Sequence, residues 1–99
     1  MKQPANHPNA ERLRSLIRQL GNYSHVHVRA HGQHLIVELI HDDERQPVAR
    51  ATRFYSHTFG LSFRSHTGTW EPMPVSGGLE EIARAMTEEL GAYIDPSNL

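Results

Sequence analysis

Two histidines one residue apart, His25 and His27, are the best placed by type and spacing to do chemistry in this chain. On a strand, side chains two residues apart leave the same face, so two imidazoles can share one ion. Read as a hairpin turning at His31-Gly32, the segment Tyr23 to Ile40 sets Glu38 opposite His25. Its carboxylate completes a nitrogen and oxygen set of the kind zinc accepts. Eight histidines among 99 residues press the question of metal. Yet no longer zinc signature surrounds the pair. His34 shares the face but lies further along, and His7, His31, His41, His57 and His66 do not converge along the chain. The expectation is no resident cofactor, with zinc on His25, His27 and Glu38 as the alternative.

Other chemistry is poorly served. There is no Cys, hence no disulfide, thiol nucleophile or Cys-based zinc site. Gly60-x-Ser62 begins a nucleophile elbow, but Arg64 stands where the second Gly belongs. Gly77-Gly78 is too short to cradle phosphate and lacks the lysine. His25 with Glu38 has the groups for acid–base work, but the sequence identifies no pocket. Asp42, Asp43 and Glu44 lack the central Gly and distal Glu of a calcium loop and read as a solvated loop tip. These readings predict that the chain is not an enzyme.

Ten basic residues oppose eleven acidic ones. The near balance argues against a nucleic-acid role, since dedicated binders carry a basic excess. The segment Leu79-Glu80-Glu81 has the wrong sign for phosphate. Tyr23 and Tyr55, with Arg29 and Arg53 nearby, leave weak single-strand binding as a further alternative. Arg12, Arg14 and Arg18 read as a solvated helix face. No stretch approaches the ~20 apolar residues of a membrane span, and MKQPANHPNA has no signal-peptide core. A soluble, cytoplasmic protein is expected.

The elements that must position these residues follow from periodicity. Residues 1–6 read as a disordered lead-in and 95–99 as a tail, around one α+β domain over 7–94. Ala10, Leu13, Leu16, Ile17 and Leu20 recur at helical spacing. Pro8 suits the first turn, behind a cap at Asn6, His7 or Asn9, and Gly21-Asn22 the stop. In the hairpin, Val26, Val28, Leu35, Val37 and Leu39 fall on one face. Tyr23, His25, His27, Arg29, His34, Ile36, Glu38 and Ile40 fall on the other. Residues 41–48 read as a loop, Ala49 to Ser56 and Leu61 to His66 as strands, and His57 to Gly60 as a turn. Thr69 to Met73 is expected to pair back through Thr67-Gly68, with Arg64 opposite Glu71 as an ion pair and Trp70 in the core beside Leu61 and Phe63. Pro72 and Pro74 confine that piece to a sheet edge. Leu79, Ile82, Ala83, Met86 and Leu90, extended by Tyr93 and Ile94, form a second helical stripe.

The fold expected is an antiparallel sheet of four to five strands, with an N-terminal and a C-terminal helix packed on one face. That leaves the His25 and His27 face open. The function expected is non-catalytic protein–protein contact there, with a second copy or another protein. Tyr23, Ile36 and Ile40 would be the apolar centre, and His25, His27, Arg29 and Glu38 the polar surround.

Overall fold

Helix α1 runs from His7 to Leu20 and begins with a reciprocal cap. The Asn9 amide donates to the Asn6 side chain at 2.9 Å, and the Asn6 amide donates to the Asn9 side chain at 3.4 Å. Two N–H groups that the helix start would leave unmatched are satisfied in this way. Pro8 lies in the first turn, where no N–H is needed. The computed structural model describes residues 6–21 and 25–89. Tyr23, Leu90, Tyr93 and Ile94, with most of the lead-in and all of the tail, lie outside them.

Five strands follow: β1 (Val26–His31), β2 (His34–His41), β3 (Glu44–Tyr55), β4 (Thr58–Arg64) and β5 (Trp70–Gly77). Helix α2 (Leu79–Glu89) closes the described chain. The strands form one antiparallel meander in the order β1-β2-β3-β4-β5. The fold is therefore α+β, with one helix before the sheet and one after it.

The β1–β2 turn is Gly32-Gln33, not His31-Gly32. Gly32 takes the positive φ of 61° that this tight turn requires. Every cross-strand partner thus moves by two residues, and His31 pairs with His34, Val28 with Val37 and His27 with Glu38. A shift of two preserves the alternation, so the two faces keep their predicted members. His27 rather than His25 lies opposite the carboxylate.

Three further boundaries differ from expectation. Residues 44–48 belong to β3, which turns back from β2 through Asp42 and Asp43, both at positive φ. Asp accepts that conformation more readily than most residues. Pro47 fits inside the strand because the pairing shifts there, from Val37 opposite Ala49 to Glu38 opposite Pro47. The β3–β4 turn is shorter than predicted, so β4 starts at Thr58 and buries Phe59. The β4–β5 register is off by one residue: Arg64 pairs with Trp70, and Phe63 with Glu71. Hydroxyls of Ser65, Thr67 and Thr69 lie within 3.0 Å of one another in that turn, and the Ser65 amide donates to the Thr69 carbonyl. The slip carries Trp70 out of the core to the opposite side of the sheet, and the expected Arg64–Glu71 pair does not form there.

Both helices pack on the predicted face. Leu13 and Ile17 of α1, with Ile82 and Met86 of α2, share one buried cluster with Val26, Leu35, Val37, Phe59 and Leu61. Removing one such side chain, as in Leu35→Ala, costs about 2–5 kcal/mol in cores of this kind. This layer anchors the sheet and leaves its other face without a described element over it.

Candidate functional site

The uncovered face is built from alternate residues of all five strands. Its centre is Ile36, with Arg29 of β1 on one side and Arg50 of β3 on the other. Ile36 is only 6% exposed although no described helix covers it. It sits on an inner strand between Arg29 and Arg50, whose methylene stems can shield an apolar neighbour. Ile36 is therefore not an exposed apolar centre. Ile40 is half-buried opposite Arg45, and Tyr23 lies outside the described residues.

Glu38 is the second buried member, at 2% exposure. Its Oε1 accepts from Arg29 Nε and from Arg45 Nη1, each at 3.2 Å. A buried carboxylate needs such partners. The bond to Arg29 links β1 to β2, and the bond to Arg45 links β2 to β3.

That commitment bears on the metal reading. Among the described residues no three His, Asp or Glu side chains come together to hold an ion. His25 is half-buried just before β1, where its carbonyl accepts from the Ile40 amide at 3.3 Å. His27 lies opposite Glu38, but the carboxylate already serves two guanidinium groups. Burial lowers the His27 pKa below the usual histidine value, and the positive charges of Arg18, Arg14 and Arg45 lower it further. Glu38 opposes the shift without reversing it. Neutral imidazole is thus favoured at neutral pH.

The remainder of the face was missed by sequence reasoning. Trp70 lies there between two arginines. Its ring centroid is 4.7 Å from the Arg50 guanidinium carbon and 5.1 Å from that of Arg64, within cation–π range. Arg50 reaches this position from β3, across Ser62, its partner on β4. At the far end Phe54 is 51% exposed, with its ring against Gly60, where a Cβ would collide with it. Between these ends runs an open hollow of about 520 Å³, floored by Thr52, Gly60 and Ser62 and rimmed by Pro72 and Pro74. His34 borders it and bonds Thr52 Oγ1 at 2.8 Å. Arginine and tryptophan types were visible in the sequence, but their shared position depends on a register that the sequence left one residue out.

The charge of this face differs from that of the whole chain. Arg29, Arg45, Arg50 and Arg64 are its arginines, and Glu38 is its one carboxylate on the same strand positions. The face is strongly basic, whereas the chain as a whole carries a formal charge of −1. A second hollow, of about 350 Å³, lies where both helices begin. There Arg12 already pairs with Glu80 at 3.1 Å. Neither a family model, nor a curated protein, nor a solved structure significantly matches the chain.

Proposed function

We propose that this protein is a non-catalytic binding module whose uncovered sheet face receives an acidic region of another protein. The observation that carries the reading is the excess of arginine on that one face of a chain that is slightly acidic overall. A basic patch with a focused field attracts and orients an acidic partner. Arginine also suits the task by chemistry, because its planar fork meets carboxylates with two hydrogen bonds. Thr52 Oγ1 meets His34 Nδ1 at 2.8 Å on this face, and the arginine excess rather than that one hydroxyl–imidazole contact carries the reading of binding over turnover.

A second copy of the chain fits less well. A two-fold interface sets a patch against itself, so the arginines of one protomer would meet those of the other. The helix side carries Glu80, Glu81, Glu88 and Glu89, but contact between unlike surfaces would not close into a pair.

The test is binding to polyglutamate, with an oligothymidylate of equal charge alongside, at about 20 mM and about 300 mM salt. Polyglutamate is expected to bind at low salt and to weaken at high salt. No binding at low salt, or tighter binding of the oligonucleotide, would overturn the proposal.

A further inference from the structure

We infer that the hollow between Arg50 and Phe54 takes an extended acidic peptide segment, with one carboxylate on Arg50 and a neighbouring apolar side chain against Phe54. The inference rests on the function proposed above and gives it a specific seat.

Unmet hydrogen-bonding capacity comes first. Among the described residues, Arg50 Nε and Gln33 Oε1 are buried polar atoms without a hydrogen-bond partner, and both residues line this hollow. Such atoms cost free energy unless something satisfies them. Gln33 accepts from the Arg53 amide through its carbonyl at 2.8 Å, three residues along β3 from Arg50. At roughly 3.3 Å per residue the two backbone positions stand about 10 Å apart along β3, the span of three extended residues. A carboxylate on the Arg50 guanidinium and a main-chain N–H on the Gln33 side chain relieve this, each after a side-chain adjustment that uncovers the buried atom.

Preorganisation comes second. Stacking against Trp70 holds the Arg50 guanidinium before any ligand arrives, so less side-chain freedom is lost on binding. The wall comes third. Pro72 and Pro74 offer apolar surface and no N–H, and Phe54 presents its ring. A volume of about 520 Å³ falls in the range of roughly 300–1,000 Å³ common to ligand sites. Single-stranded nucleic acid is a poorer occupant. It requires successive free aromatic platforms, but two guanidinium groups crowd Trp70, which leaves Phe54 to stack.

Trp70 is the single tryptophan of the chain, so its emission reports on the site. The probe is an acetylated, amidated peptide of four glutamates around one leucine, with calorimetry as a second readout. Wild-type emission is expected to change saturably. Arg50→Gln is expected to weaken binding about tenfold or more, since a charge-assisted fork is lost. Arg50→Lys should fall between the two. Arg29→Gln, on the same face but outside the hollow, should cost less than about threefold. Phe54→Ala, an exposed position, should weaken the leucine peptide but not an all-glutamate one, which keeps the test decisive if Arg50 variants do not fold. Equal losses for Arg50→Gln and Arg29→Gln would overturn the seat while leaving a basic face that binds acidic partners. No binding by the wild type would overturn both.

Discussion

At the scale of single residues, Glu38 and His27 decide how the uncovered face is held together. Glu38 is buried and shared by two partly exposed arginines. Glu38→Gln keeps the shape but removes the charge from both bonds, and it should lower stability by about 1–2 kcal/mol, with solvent screening of the arginine heads taken into account. Urea denaturation measures this, and an unchanged midpoint would mean that the two bonds contribute nothing. His27 contributes in the opposite direction as pH falls. Its pKa is lowered by folding, so below the ordinary histidine value of about 6.5 the unfolded chain takes up a proton before the folded one does. The stability tied to this residue is fully present above that pH and declines as pH falls toward the lowered folded value. Between about pH 7.5 and pH 5.5, His27→Gln should therefore lose less stability than the wild type. Equal losses in the two proteins would show that His27 titrates alike folded and unfolded.

At the scale of elements, the turns set the outcome. Asp42 and Asp43 both take positive φ, a conformation that glycine adopts with less strain. Asp43→Gly should raise stability by about 0.5–1 kcal/mol, and a fall in the thermal midpoint would contradict the turn described. The same turns explain what was legible. The hairpin faces could be read from the sequence because the turn was misplaced by one residue, which moves partners by two and leaves Val26, Val37 and Leu39 on the core side. The β4–β5 turn shows the other case. Its pairing moved by one, and Trp70 changed sides. Thr67-Gly68 read as a two-residue turn, while the hydroxyl bonds among Ser65, Thr67 and Thr69 make a wider one. The burial of Ile36 was hidden for a further reason. It depends on arginines of two neighbouring strands, one of which, β3, starts five residues earlier than its composition suggested, and Pro47 concealed that start. The basic hollow follows from these same pairings, so it came into view only with the structure.

At the scale of the whole molecule, the sheet separates an apolar face from an arginine-bearing one. One face and both helices supply the stability through a single apolar layer. The other face carries arginines that cannot meet a second copy without repulsion. The chain of 11.3 kDa is therefore expected to sediment as a monomer at low salt, and a salt-stable dimer would contradict this charge argument. Engagement of acidic partners by the arginine side of the sheet is what this charge pattern predicts. Its most direct test is a map of backbone amide NMR shifts during titration with the glutamate–leucine peptide. Shifts concentrated at Ile36, Arg50, Phe54 and Gly60, with α1 and α2 unmoved, are the predicted result. Shifts confined to the helices, or none at saturating peptide, would contradict it.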